Sequence, residues 1–232
     1  MKSPWGKVSV AVFCDFDGTI TLEDTTDAVL EAFALPEYKE WEEKWEEGEI
    51  TARECMEQQC RLLRVSPEAL RSFLKEIPID PGIYALEEQC LAYGAPLTIV
   101  SDGIDFLMEE ILRLKKLSHL PHFSNRLNWD KNGHPFLTFP HADSNCEGGC
   151  GVCKCQLLER QYSREVFSVY IGDGLSDRCV AHQSNRVFAK KKLRDYCLKE
   201  GIVHNRFETL TDVAQLLFQG ELLPSRSSRE DQ

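Results

Sequence analysis

Val8-Ser9-Val10-Ala11-Val12-Phe13-Cys14-Asp15-Phe16-Asp17-Gly18-Thr19 is the stretch that decides how this chain is read. Its first seven residues are small or apolar and rich in β-branched side chains, the mark of a strand buried on both faces of a parallel sheet. The run stops at two carboxylates two residues apart, which an extended chain points to one side. Side by side they repel, unless a divalent cation neutralises them or one holds a proton. Gly18 permits a sharp exit turn. Open α/β sheets place their sites just beyond such strand ends.

Working outward, the texture changes from Thr21 to about Glu76. Glu, Trp, Leu and Lys dominate at helical spacing, with Trp41 and Trp45 on one helix face. Thr51 can cap a helix carrying Met56, Cys60 and Leu63, and Ser66-Pro67 opens another. The block predicts about four helices and no strand. The α/β rhythm returns at Asp80-Pro81-Gly82. A helix to about Tyr93 is stopped by Gly94, and Pro96–Ser101 reads as the second core strand. A helix over 104–116 follows, then a hairpin over 122–140 turning at Lys131-Asn132-Gly133. After a cysteine-rich loop, 141–153, come a helix over 156–162 and a third core strand, Val166–Ile171. Short strands near 186–189 and 201–205 flank a Lys-rich helix.

This order predicts an α/β fold: a doubly wound, Rossmann-like parallel sheet with helices on both faces and an inserted all-helical cap. The expected core is 1–20 with 80–220, the cap is 21–79, and 221–232 has the composition of a disordered tail. The 232 residues carry 27 Lys plus Arg against 38 Asp plus Glu, a net charge of −11. That sign argues against nucleic-acid and anionic-membrane partners. It also means that a phosphorylated ligand needs a local positive site or a metal. No apolar run reaches the roughly 18–20 residues of a membrane span, and Met1-Lys2-Ser3-Pro4-Trp5 lacks the apolar core of a signal peptide. A cytoplasmic, reducing location is expected, and the ten cysteines then read as free thiols or metal ligands.

The strand-end rule can be applied to the other core strands. The second ends in Ser101-Asp102-Gly103, a hydroxyl beside flexible backbone N–H groups. The third ends in Gly172-Asp173-Gly174-Leu175-Ser176-Asp177. Each alone reads as a turn. Together they put four carboxylates, Asp15, Asp17, Asp173 and Asp177, and a hydroxyl at one sheet edge, which reads as a magnesium-dependent phosphoryl-transfer site.

Asp15-Phe16-Asp17-Gly18-Thr19, then Ser101, a lysine, and Gly172-Asp173-Gly174 with Asp177 resemble the four-motif set of the haloacid dehalogenase superfamily of phosphatases. The helical block resembles the cap of its phosphoserine-phosphatase-like branch. Val100-Ser101-Asp102-Gly103-Ile104-Asp105-Phe106, Cys150-Gly151-Val152-Cys153-Lys154-Cys155 and Ile171–Arg178 resemble proteins like 2-hydroxy-3-keto-5-methylthiopentenyl-1-phosphate phosphatase of methionine salvage. The resemblance implies a haloacid-dehalogenase-like core and a phosphatase working through an aspartyl-phosphate. Asp15 would be the nucleophile and Asp17 the general acid and base. Mg2+ would rest on Asp15, the Asp17 carbonyl and Asp173, with Asp177 behind it or as a further ligand. Ser101, Asp102 and Gly103 would bind phosphoryl oxygens.

The set needs a cation near Asp15, and Lys154 is the choice because it precedes the third strand by one helix. Arg160, Arg164 and Lys190 are the alternatives. Cys146, Cys150, Cys153 and Cys155 could bring four thiolates around a structural Zn2+, with His141 as an alternate ligand, or form a tight loop of free thiols. The other six cysteines read as buried apolar residues. In the cap, Arg53 is the candidate for a substrate carboxylate. Trp41, Trp45, Phe33 and Met56 could line an apolar pocket or simply build the cap's core. The expected partner is a small phosphorylated metabolite, and the chain a monomer or homodimer. Phosphoserine or another small phosphomonoester is the rival substrate. A phosphotransferase and a phospho-ligand-binding regulatory protein are the rival functions. Cap motion is expected to hinge near Thr21 and Ile77-Pro78.

Overall fold

The computed structural model describes residues 9–146, 148–161 and 166–218. Arg164, the N-terminal five residues and the 221–232 tail lie outside the described residues. β1 (Val10–Cys14) is buried at every position, as its unbroken apolar run requires. The next elements are α1 (Thr25–Phe33), α2 (Tyr38–Glu46), α3 (Ala52–Arg61) and α4 (Pro67–Phe73), then α5 (Gly82–Tyr93), β2 (Leu97–Ile104) and α6 (Asp105–Leu114). β3 (His122–Trp129) and β4 (Pro135–Thr138) form the hairpin. α7 (Lys154–Gln161), β5 (Phe167–Gly172), α8 (Arg178–Gln183), β6 (Arg186–Ala189), α9 (Lys191–Glu200), β7 (His204–Arg206) and α10 (Leu210–Phe218) complete the chain.

The seven strands form one sheet in the order β4-β3-β2-β1-β5-β6-β7. All neighbours are parallel except β4, which runs antiparallel on β3, so the sheet is mixed at one edge. Alternation along β1 divides the core. Val10, Val12 and Cys14 pack into one cluster with residues of α5, α6 and α10. Ala11 and Phe13 face the other, with residues of α7, α8 and α9. Helices therefore cover both faces. From β1 the chain builds β2 and β3 on one side and later β5, β6 and β7 on the other. The order reverses around β1, and a crevice opens where the neighbouring loops diverge.

Between β1 and α5 the chain makes only helices. Asp24 caps α1, accepting from the Thr26 and Asp27 N–H groups. Thr51 and Glu54 form a reciprocal capping box at α3, and Ser66 with Pro67 starts α4, both as the residue types dictate. The block leaves and rejoins the sheet at adjacent points. Thr21 and Ile79 pair as an isolated bridge, and the Leu22 N–H donates to the Pro78 carbonyl at 3.1 Å.

Some boundaries differ from expectation. β2 continues three residues past Ser101, through a register irregularity against β3 between Val100 and Ile104. The irregularity is where Gly103 N–H turns back to the Ser101 hydroxyl at 2.8 Å. α7 begins at Lys154, two residues before the expected 156. Among the described residues no helix is long and apolar enough to cross a membrane.

Candidate active site

The C-terminal ends of β1, β2 and β5 converge on a cavity of about 300 Å³ whose other wall comes from α1, α2 and α3. Asp15 lies at its floor, 4 % exposed. Lys154, at the first position of α7, reaches under it. Its Nζ is 2.7 Å from Asp15 Oδ1 and 2.5 Å from Asp177 Oδ1, with 2 % of the side chain exposed. Lys154 is therefore the cation beside Asp15. Arg160 sits in the last turn of α7, and Lys190 lies over the Phe207 ring instead.

Burial would push the Lys154 ammonium down, but Asp15 and Asp177 outweigh it and hold its pKa well above the ordinary value. Burial and the neighbouring Asp177 push the Asp15 carboxyl up, against the pull of Lys154. A pair this deep is stable only because each charge is met. Asp177 is the most saturated of the acids. Oδ1 also accepts from the Tyr170 hydroxyl at 2.5 Å, and Oδ2 accepts from the Asp173 and Gly174 N–H groups, each at 3.1 Å. Those four donors engage both oxygens of Asp177 and fix it against Lys154 and the turn after β5.

Asp15, Asp173 and Asp177 each offer an oxygen within 4.8 Å of the others. Hard oxygen donors at this spacing fit a Mg2+-class ion. Asp173 is held by Lys191, whose Nζ is 2.9 Å from Oδ2 and 3.2 Å from the Gly18 carbonyl. Gly18 (φ +70°) could not be another residue, since a Cβ there would sit 2.3 Å from Asp173 Oδ2.

Asp17 is half-buried and bridges core to helical block. Oδ1 accepts from the Thr25 N–H at 3.0 Å and from the Thr25 hydroxyl, while Oδ2 accepts from the Ser101 hydroxyl at 3.0 Å. A Cβ on Gly103 would lie 2.3 Å from that oxygen, so the turn must be glycine for Asp17 to approach. Asp102 lines the cavity, but its Oδ1 is taken by the Val152 N–H at 2.8 Å. Its carbonyl accepts from Asn125 Nδ2 at 2.6 Å.

On the facing wall stand Asp24, Asp27, Glu42, Trp45, Met56 and Gln59. Arg53, Trp41 and Phe33 are not among the described lining residues. Desolvation in the cleft, with Glu42 and Asp17 nearby, pushes the Asp27 carboxyl up to about 6. Sequence reasoning passed over this acidic wall. It also missed Lys191 and Asn125. Lys191 stands two residues beyond β6, where the strand-end rule would have found it.

The four thiols expected around a zinc ion do not come together as one ligand set among the described residues. Among the described residues the acidic trio is the only group of three or more such side chains close enough to share an ion. Cys153 and Cys155 straddle Lys154 at the start of α7, and side chains two apart there do not face each other. His141 packs edge-on against Phe123 instead. All ten cysteines are free, and Cys179 is exposed rather than buried.

Residues 9–217 match the family described as "Putative Phosphatase". A Brevibacillus brevis protein named 2-hydroxy-3-keto-5-methylthiopentenyl-1-phosphate phosphatase is 33 % identical over 217 residues, covering 90 % of this chain and 96 % of its own. Among solved structures, a HAD family hydrolase from Salmonella enterica serovar Typhi superposes with a TM-score of 0.71 at 17 % identity, over 93 % of this chain and 74 % of that one. Phosphoserine phosphatase from T. onnurineus gives 0.66 at 17 % identity, over 92 % and 96 %.

Proposed function

Because the chain belongs to the Putative Phosphatase family, shares the fold of a solved HAD family hydrolase, and is a phosphoric monoester hydrolase, we propose that it releases phosphate from a small metabolite through a phosphoryl group carried on Asp15. The observation that carries this reading is the buried Lys154–Asp15 pair at the floor of the cavity. A carboxylate pinned through one oxygen is oriented for in-line attack with its second. Asp17, held by Thr25 and Ser101, would protonate the leaving alkoxide and then take a proton from the attacking water. The Ser101 hydroxyl and nearby N–H groups would receive the phosphoryl oxygens. Lys154 offsets the charge gathered at Asp15, and Asp177 keeps Lys154 in place. A magnesium ion on Asp15 and Asp173 would supply charge neutralisation for the phosphoryl oxygens.

The helical block would act as the cap that selects the ester, and its tie from Thr25 to Asp17 would couple cap position to the acid–base group. On the name of the Brevibacillus relative, the first substrate reading is 2-hydroxy-3-keto-5-methylthiopentenyl-1-phosphate, its methylthio tail against Trp45 and Met56. The wall of Asp24, Asp27 and Glu42 favours a second reading, a phosphomonoester bearing an ammonium group, since three carboxylates in one cleft gain from a cation.

Phosphate release with magnesium, across methionine-salvage esters, phosphoserine, amino-alcohol phosphates and sugar phosphates, tests both readings beside an Asp15→Asn control. Preference for the salvage ester supports the first, and preference for a cationic ester that is lost in Asp27→Asn supports the second. No turnover of any ester by folded, magnesium-loaded protein would sink the proposal.

A further inference from the structure

Lys191 has no part in the chemistry above, yet its backbone is the most unusual near the cavity. It stands at the first position of α9 with φ +45°, the left-handed region that residues with a Cβ seldom enter. Just past a helix C-terminus such a φ is ordinary, and Lys116 (φ +61°) lies in that kind of place after α6. A helix start gives no such reason. The chain on either side of Lys191 is fixed to the end of β5. Lys190 N–H donates to the Gly172 carbonyl at 3.2 Å, and Leu193 N–H donates to the Asp173 carbonyl at 2.8 Å. Between these anchors Lys191 reaches back, its Nζ donating to Asp173 Oδ2 and to the Gly18 carbonyl.

Little of this serves the fold. The Lys191 side chain is 52 % exposed, and ion pairs so open to water contribute little stability. A left-handed φ on a residue with a Cβ is unfavourable and persists only where its surroundings hold it. What the arrangement does is electrostatic. Asp173 is 9 % exposed and offers one of the three carboxylate oxygens that lie within 4.8 Å of one another. A positive charge bonded to that carboxylate eases its repulsion with Asp15 and Asp177. The same charge repels a divalent ion shared by the trio. Both effects have one sign: they weaken the ion's hold.

We propose that Lys191 is a positioning residue of the divalent-cation site, a resident counter-charge that holds Asp173 in place and competes with the ion for its carboxylate. The proposal rests on the reading that Asp15 and Asp173 take magnesium. Lys191 keeps the acids assembled and lets the ion bind loosely enough to exchange. Through Gly18 the same ammonium ties the turn after β1 to the turn after β5. A lysine that only buttressed these turns would act with the opposite sign, since a loosened Asp173 would bind the ion less well.

The test is calorimetric titration of MgCl2 into the full-length protein stripped with a chelator. Lys191→Met removes the charge and keeps the stem. It should lower the magnesium Kd about tenfold, the scale for a unit charge close to a divalent ion in near-aqueous surroundings. Lys191→Gly removes the charge while suiting the left-handed φ, and should tighten binding to a similar extent. Lys191→Arg keeps the charge and should keep the native Kd. A Kd unchanged or raised in Lys191→Met or Lys191→Gly, an Arg variant that tightens as the Met variant does, or native protein that takes up no magnesium would overturn the proposal. The heat of binding is read without any ester. Tightened binding in a protein that turns over no ester would strike the phosphatase reading alone, and an unaltered Kd with normal phosphate release would strike this proposal alone.

Discussion

Lys154 is a buried cation at the floor of the cleft. It meets two carboxylates in a place that water does not reach. Lys154→Met would leave Asp15 and Asp177 facing each other uncompensated, and removing one partner of such a pair costs about 3–5 kcal/mol. Denaturant titration should show that loss together with lost turnover. Tyr170→Phe removes one donor from Asp177 and should cost about 1–3 kcal/mol, read the same way. Asp27 gives a pH-dependent case. Its folded pKa of about 6 lies above its ordinary value, so the folded state holds the proton more tightly and its charge destabilises the fold as pH rises through that window. Asp27→Asn should therefore raise the thermal midpoint at about pH 7.5 and lose that gain below about pH 4. At this scale the residues visible in the sequence were those at strand ends: Asp15, Asp17, Ser101, Asp173 and Asp177 could be placed by counting from apolar runs. Asn125 could not, because a polar residue inside β3 gives no sign that it is fully buried against the Asp102 carbonyl.

Among elements, α5 and α10 approach each other closely at their starts. Asp80 accepts from the Gly82 and Leu210 N–H groups, each at 2.8 Å, joining both helix starts through one buried carboxylate. A Cβ on Gly82 would stand 2.2 Å from the Thr211 backbone nitrogen. Gly82→Ala should force the two helices apart and cost about 1–3 kcal/mol, measurable as a lower thermal midpoint with the site chemistry unaltered. Asp80-Pro81-Gly82 was readable only as the return of the α/β rhythm. Its second partner is 130 residues away and leaves no local trace. Helix starts at Thr51 and Ser66 were legible because a cap is a local bargain between one side chain and the next turn. The early start of α7 was not, since Lys154 joins the helix to reach Asp15, a contact between distant segments.

For the whole molecule, the sequence of strands and helices was enough to anticipate a doubly wound sheet, because β1 is an unbroken apolar run and β2 and β5 are short, mostly apolar ones. The antiparallel edge strand β4 followed from the turn at Lys131-Asn132-Gly133. What the order of elements could not convey is the cleft itself, where Asp24, Asp27 and Glu42 on the helical block face Asp15 and Asp173 on the sheet. The acids of the floor repel one another without a counter-ion, so magnesium should raise the thermal midpoint. Binding at a hundredfold excess over Kd is worth about 2.7 kcal/mol. Chelation should reverse the gain and abolish phosphate release, while Asp173→Asn should show little gain from the ion.

The central claim is that Asp15 becomes phosphorylated, and trapping it is the most direct measurement. Magnesium-loaded protein mixed with an ester that it turns over is quenched in acid within one turnover and analysed by peptide mass. The account predicts one phosphoryl group on the peptide containing Asp15, lost on standing in mild base, and none in Asp15→Asn, whose turnover falls at least about a thousandfold. Undiminished hydrolysis by Asp15→Asn, or rapid turnover by the native protein with no phosphoryl group ever found on that peptide, would contradict it.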